Sequence, residues 1–259
     1  MAWTEPGRQA VHSGICGAAY PDHMTDERVI LISGASGVLG RTAAAAFGSD
    51  GWRLGLVGRQ EARLREVGTA TGIGEDRWTP AIADLSDPDQ AAAAVGAVVG
   101  RFGRIDAVLH LVGGFVPGAS VTELDPEHLR HMLDQHLWST LHLARAAVPG
   151  MIERGWGRVL AVTSATTVSL PARAAIYATA KAAQETLLRI LAKEVAGTGV
   201  TVNLAAVRQI DAEHARDREP SPKNAAWTTP EELVAAFRFL CSDDAAMING
   251  ARIPLDGRG

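Results

Sequence analysis

Tyr177-Ala178-Thr179-Ala180-Lys181 sets a phenol and an ammonium four residues apart. On a helix, positions i and i+4 share a face, so the two groups would stand one above the other. A cation beside a phenol favours the phenolate. The expectation is a Tyr177 pKa lowered toward neutrality and suited to general acid/base work. Ser164 closes an apolar run, Val159–Thr163, 13 residues before Tyr177. A second group of residues lies upstream, in Ser33-Gly34-Ala35-Ser36-Gly37-Val38-Leu39-Gly40. It follows the apolar run Val29–Ile32 and precedes an Ala-rich stretch. Glycines at 34, 37 and 40 remove side chains where a pyrophosphate would approach the backbone, and a helix N-terminus beyond them would offer free N–H groups.

Two further positions refine that reading. Leu56-Val57-Gly58-Arg59 ends the second apolar run with no acidic residue to bind a ribose 2′-hydroxyl. Gly58 leaves room and Arg59 supplies charge, which favours a 2′-phosphate and hence NADP over NAD. Asp84-Leu85 follows the third run, where the aspartate could accept from an adenine amino group.

These residues need a scaffold that gathers strand ends. Apolar runs of strand length occur at Val29–Ile32, Leu54–Val57, Ala81–Ala83, Ala107–Val112, Val159–Thr163, Val200–Leu204 and Ala251–Pro254. Helical composition fills the gaps at Thr42–Phe47, Glu61–Val67, Gln90–Arg101, Glu127–Glu153, Ile176–Val195 and Glu231–Leu240. Alternation of this kind builds βαβ units and a parallel sheet. The fold class expected is α/β, a single doubly wound Rossmann domain over 24–259 with a seven-stranded parallel sheet. Residues 1–23 lack periodicity and read as a disordered N-terminal extension. Arg208–Trp227, charged and holding Pro220 and Pro222, reads as a functional lid or binding loop.

Composition narrows the function. Of 259 residues, 47% are hydrophobic and 21% charged, enough to bury a full core. A net charge of -4 offers no basic stripe for nucleic acid. Two cysteines, Cys16 and Cys241, fit a reducing cytosol better than a disulfide scaffold. No apolar run reaches the roughly 20 residues that span a bilayer, and no basic-then-apolar leader opens the sequence. A cytoplasmic protein is expected.

Taken together, SGASGVLGR, Asp84-Leu85, GRIDAVLHLVGG, GWGRVLAVTS, YATAK, VTVN and PEELVAAFRFLCSDDAAMINGARIPLDG resemble the short-chain dehydrogenase/reductase family over residues 26–259. The resemblance implies Ser164, Tyr177 and Lys181 as a catalytic trio. In that family the tyrosine protonates the substrate carbonyl oxygen, the lysine holds the ribose and tunes the tyrosine, and the serine orients the carbonyl. It also implies a cofactor set of Gly34, Ser36, Gly37, Leu39, Gly40, Arg59, Asp84, Leu85, Val112 and Gly113, shared with Tyr177 and Lys181. The partners implied are a small carbonyl or alcohol substrate and further copies of the chain, as a homodimer or homotetramer.

Departures from the family pattern are as informative. Val38 stands where the second glycine is usual, and Gly37 comes one residue early. His110-Leu111-Val112-Gly113 replaces Asn-Asn-Ala-Gly, and Val207-Arg208 replaces Pro-Gly. His136 aligns with the asparagine of the family's proton relay. It is expected to be neutral at pH 7 beside Lys181, either relaying protons or packing its helix. The early glycine, Val112-Gly113-Gly114-Phe115, Trp138-Ser139-Thr140 and Trp227-Thr228-Thr229-Pro230 resemble the dihydropteridine-reductase-like branch, whose NADH preference Gly58-Arg59 contradicts.

His128, His131, Asp134 and His136 suggest a metal cluster, but only His128 and His131 share a helix face, His136 points elsewhere and no cysteine assists, so a solvated helix face with His136 alone turned toward the site, and no metal, are expected. No Gly-x-Ser-x-Gly elbow is present for a serine hydrolase. The reading is an NADP-dependent oxidoreductase. Two alternatives are a non-redox dehydratase or isomerase on the same fold, and a nucleotide-binding regulator with little turnover.

Overall fold

The computed structural model describes residues 28–116 and 118–257; the expected extension at 1–23 lies outside them. Strands are β1 (Val29–Ser33), β2 (Arg53–Gly58), β3 (Trp78–Ile82), β4 (Ala107–His110), β5 (Gly157–Ser164), β6 (Val200–Val207) and β7 (Arg252–Pro254). They form one seven-stranded sheet in the order β3-β2-β1-β4-β5-β6-β7, every pair parallel. Helices are α1 (Val38–Ser49), α2 (Glu61–Ala70), α3 (Pro88–Phe102), α4 (Pro126–Leu133), α5 (Ser139–Arg154), α6 (Thr166–Ser169), α7 (Ala175–Glu194), α8 (Ala215–Arg218) and α9 (Pro230–Leu240).

Alternation along β1 shows why both faces are covered. Val29 and Leu31 join a buried cluster with Val98, Leu143 and Leu188 from α3, α5 and α7. Ile30 and Ile32 join another with Phe47, Leu64 and Phe237 from α1, α2 and α9. Period-2 side chains reach opposite faces, and each such burial stabilises by about 1.5–3 kcal/mol. The strand order reverses at β1, flanked by β2 and β4. The carboxyl ends of these strands therefore open a crevice there.

Three of the differences from the sequence reading bear on the site. β3 begins at Trp78 and passes through Pro80. An edge strand tolerates a residue with no N–H to donate. β4 stops at His110, so Leu111 and Val112 leave the sheet as loop. The helix expected at 127–153 is two helices joined by a π turn, Asp134–Trp138. Ser139 Oγ donates to the Gln135 carbonyl at 2.5 Å and Thr140 Oγ1 to the His136 carbonyl at 2.5 Å. Hydroxyls that bond back four residues distort a helix, and π turns gather at functional sites.

Candidate active site

Two adjoining clefts lie at the carboxyl ends of the strands. The first, about 350 Å³, is lined by Gly34, Ser36 and Gly37 of the glycine turn, Gly58 and Arg59 after β2, Asp84 and Leu85 after β3, Val112 and Gly113 after β4, and Gln135. The second, about 290 Å³, is lined by Gly34, Gly37, Leu39, Gly40, Val112, Gly113, His136, Tyr177 and Lys181. Gly34, Gly37, Leu111, Val112 and Gly113 line both, so the two form one elongated groove. All the predicted cofactor residues line it. Ser164 lies outside both linings and joins the site through Tyr177.

The glycine turn is built for close approach. Gly34 has φ +70°, and a Cβ there would meet the Leu111 carbonyl oxygen at 2.9 Å. A Cβ on Gly40 would come within 2.4 Å of the Gly34 oxygen. The early placement of Gly37 has a local reason: it is the N-cap of α1, and no side chain caps that helix. Asp87, Asp125 and Thr229 cap α3, α4 and α9. The amino end of α1 therefore presents uncapped N–H groups and a positive dipole end to the groove. That end fits a pyrophosphate.

Arg59 is exposed at the far end of the groove. Asp84 accepts from the Ser86 hydroxyl at 2.7 Å and the Ser86 N–H at 3.0 Å. These bonds, with a smaller contribution from the Arg59 charge, hold its carboxyl below the usual carboxylate range.

At the other end, α7 carries Tyr177 and Lys181 on the face predicted. The Ser164 hydroxyl accepts from the Thr166 N–H at 3.2 Å and the Thr166 hydroxyl at 2.9 Å, and it bonds to the Tyr177 phenol. With both lone pairs engaged, the Ser164 proton is directed at Tyr177. Phe115 and His136 stand edge-on to the Tyr177 ring, with centroids 5.5 and 5.7 Å away.

The predicted lowering of the Tyr177 pKa is overturned. Burial raises it, outweighing the Ser164 hydrogen bond that lowers it. The reason lies in where Lys181 spends its donors. Its Nζ donates to the Val162 carbonyl at 2.9 Å and to Gln184 Oε1 at 3.0 Å. Burial also lowers Lys181 to about 7, so its charge is itself marginal at neutral pH.

His136 is fully buried, and burial first, then Lys181, lowers it to about 3. Its Nε2–H donates to the Gly114 carbonyl at 3.2 Å, leaving Nδ1 unprotonated and without a hydrogen-bond partner. The expected neutral imidazole is present, for a reason dominated by burial.

His110 forms a directed chain. Ser139 commits its proton to the Gln135 carbonyl, so it accepts from His110 Nε2–H at 3.1 Å. Nδ1 then accepts from Ser33 Oγ at 2.9 Å, and Ser33 Oγ accepts from the Leu111 N–H at 3.2 Å. That assignment of the tautomer follows from the donor count. His110 thus ties the β1 end, the loop after β4 and the π turn together. Burial lowers it to about 3 as well.

His131 and Asp134, read as a solvated helix face, are exposed and lie along the rim of the first cleft. Among the described residues no group of three or more His, Cys, Asp or Glu side chains could hold a metal ion. The Arg208–Trp227 segment is pinned rather than loose. Asp211 accepts from the N–H groups of Ala215 and Arg216, and Arg216 pairs with Glu232 at 2.8 Å. Only Ile210 of that segment lines either cleft. Gln184, Thr140 and Gly114 were missed. A polar residue at i+3 from Lys181 on the inward face of its helix was the available signal for Gln184.

A parallel sheet reversing at β1, a glycine turn under an uncapped helix, and a Ser–Tyr–Lys cluster at its far end define a nucleotide-binding redox fold. Residues 34–257 match the family model described as Enoyl-(Acyl carrier protein) reductase. An uncharacterized oxidoreductase of Mycobacterium tuberculosis is 31% identical over 89% of this chain and 90% of its own length. D-threitol dehydrogenase of Mycolicibacterium smegmatis is 29% identical over 91% and 94%. The crystal structure of L-sorbose reductase from Gluconobacter frateurii, complexed with NADPH and L-sorbose, superposes with a TM-score of 0.78. It has 26% identity and covers 90% of this chain and 96% of its own. The chain belongs to the short-chain dehydrogenase/reductase family, and it is a nicotinamide-dependent oxidoreductase. No helix among the described residues is long and apolar enough to cross a membrane.

Proposed function

We propose that the chain reduces a small carbonyl compound, or oxidises the matching alcohol, with NADP preferred over NAD. The observation that carries this reading is the hydrogen-bonded Ser164–Tyr177 pair beside Lys181, at one end of a groove whose other end holds Arg59. A threitol dehydrogenase and a sorbose reductase among the relatives support a small hydroxylated substrate, and solved relatives holding NADPH or NADH support a nicotinamide cofactor, the preference for NADP resting on Arg59.

The chemistry a bound nicotinamide supplies is hydride transfer to or from the substrate carbon. Gly34, Ser36, Gly37, Leu39 and Gly40 would hold the pyrophosphate under α1. Arg59 would hold the 2′-phosphate, Asp84 and Leu85 the adenine, and Val112 and Gly113 the middle of the groove. Lys181 has three N–H donors and two acceptors within the described protein, which leaves one donor for the ribose hydroxyls. Tyr177, kept protonated by burial and held in place by the Ser164 hydroxyl, donates its phenolic proton to the substrate carbonyl oxygen. His136 backs the Tyr177 ring and stays neutral throughout the working pH range.

Ammonium chemistry sets the expected pH response. Above about 7 Lys181 loses its charge, so ribose binding weakens. A panel of small ketones and hydroxyketones with NADPH and with NADH, followed by nicotinamide absorbance, tests the reading. Turnover with NADH alone would overturn the cofactor preference, and loss of no activity in Tyr177→Phe would overturn the site.

The α5–α7 surface bears an apolar groove formed by Leu141, Val148, Ile152, Leu187 and Ile190. It supports a homodimer or homotetramer, which sedimentation at micromolar concentration tests. The buried, unpaired thiol of Cys241 is compatible with a cytoplasmic location.

A further inference from the structure

Gln184 is wholly buried, one turn beyond Lys181 on α7. Its amide sits in a run of three hydrogen bonds whose directions are all fixed. Lys181 Nζ–H donates to Gln184 Oε1 at 3.0 Å. Gln184 Nε2–H donates to Thr140 Oγ1 at 2.8 Å. Thr140 Oγ1–H donates to the His136 carbonyl at 2.5 Å. The run crosses from α7 to α5 and ends inside the π turn. Lys181 is thereby clamped between the Val162 carbonyl on β5 and an amide that is itself held by the turn carrying His136.

We propose that Gln184 is a positioning residue: its amide fixes the Lys181 ammonium at the end of the groove and couples it to the π turn. The inference rests on the role assigned to Lys181 above. An amide is suited to this task because it accepts at one end and donates at the other without titrating. A carboxylate would add a charge, and an apolar residue would leave an ammonium N–H buried and unpaired, which is costly. The run is a brace. It holds no titrating group between Lys181 and the backbone, so it offers Tyr177 no proton.

The groups facing the ammonium are few. His110 at the end of β4 and His136 in the π turn face it, and both are neutral. Tyr177 lines the same cleft one turn earlier. Glu185, the neighbouring carboxylate on α7, turns the other way, accepting from Thr163 and Thr167 at 3.1 Å and pairing with Arg252 at 3.3 Å. The charge state of Lys181 is therefore set largely by burial and by its two acceptors.

The test is NADPH affinity against pH for the wild type, Gln184→Met, Gln184→Glu and Lys181→Met, read by nicotinamide fluorescence. The series is repeated with NADH, which lacks a titrating 2′-phosphate. Wild-type affinity should weaken as pH rises through about 7. Gln184→Met removes one acceptor of the ammonium and should move that limb down by about one pH unit, the size of one charge-assisted hydrogen bond. Gln184→Glu should move it up. Opposite shifts in two variants of one residue are not produced by a general loss of packing. Should Gln184→Met fail to fold, the direction of shift in Gln184→Glu decides. Loss of the limb in Lys181→Met with no shift in either folded Gln184 variant overturns this inference alone. Persistence of the limb in Lys181→Met overturns the role of Lys181 itself.

Discussion

At the Arg59 end of the groove the side chains are exposed and their partners are sequence neighbours. Asp84 is held by Ser86, two residues on, and Arg59 stands in solvent. At the Lys181 end Lys181, Gln184, His110 and His136 are buried, Tyr177 is half-buried, and the partners come from five separate elements. Lys181 reaches β5 and, through Gln184, α5, while His110 links β1, the loop after β4 and the π turn. One end recognises charge in a high dielectric, where each contact is worth little and salt screens it. The other holds ionisable groups in a low dielectric, where burial moves Lys181 to about 7 and two histidines to about 3. Changes at the two ends should therefore differ in size and in kind.

The largest effect is expected at Tyr177. Tyr177→Phe keeps the ring against Phe115 and His136 and removes the phenolic proton. Turnover should fall by roughly 10²–10⁴-fold, the range of general acid catalysis, while cofactor affinity stays near wild type. Equal losses in turnover and cofactor affinity would mean that the phenol binds rather than reacts.

The buried histidines give the next effect, on stability. Their folded pKa values lie below the unfolded value, so the unfolded chain takes up protons that the folded chain refuses. Stability should fall as pH drops from about 6.5 toward about 3. At pH 5 each histidine should cost about 2 kcal/mol relative to pH 7. For a chain of this size that corresponds to roughly 4–8 °C in Tm per histidine. His136→Asn should shrink the pH 7 to pH 5 drop in Tm by about that amount. An unchanged drop would mean that the imidazole takes up a proton in the folded state as readily as in the unfolded one.

The two ends also differ in how they can be read from sequence. The glycine turn, Arg59, Asp84 and the sheet were all legible, because contiguous runs and strand-end positions encode them. The spacing of Tyr177 and Lys181 was legible for the same reason: one helix carries both. What was not legible is the environment. Lys181 was expected to lower Tyr177, but whether an ammonium acts on a phenol depends on which acceptors compete for it, and Val162 and Gln184 compete from 19 and 3 residues away. The π turn was hidden because the Ser139 and Thr140 back-bonds that accompany it leave no motif in the sequence. The pinning of 208–227 was hidden in part for the same reason, since Arg216 pairs with Glu232, 16 residues away.

The smallest effects belong to the exposed end. Gly58→Asp should turn preference from NADPH toward NADH, since a carboxylate repels a 2′-phosphate and accepts from a 2′-hydroxyl. The added Cβ would lie 3.1 Å from Leu64 Cδ2, so that side chain must shift by a few tenths of an ångström and some stability is lost. Arg59→Ala avoids that strain and isolates the charge. An exposed guanidinium on a phosphate is a charge-assisted contact weakened by solvent. NADPH affinity should therefore fall by about 3–10-fold, less than a buried charge-assisted bond would give. NADH affinity should hardly move. The NADPH loss should also shrink as salt is added, because a contact of this kind is screened over about 10 Å at 0.1 M ionic strength. The Lys181 contacts, enclosed by protein, should show no such salt dependence. Equal losses for NADPH and NADH in Arg59→Ala, or a loss indifferent to salt, would remove Arg59 from the 2′-phosphate and with it the argument for NADP.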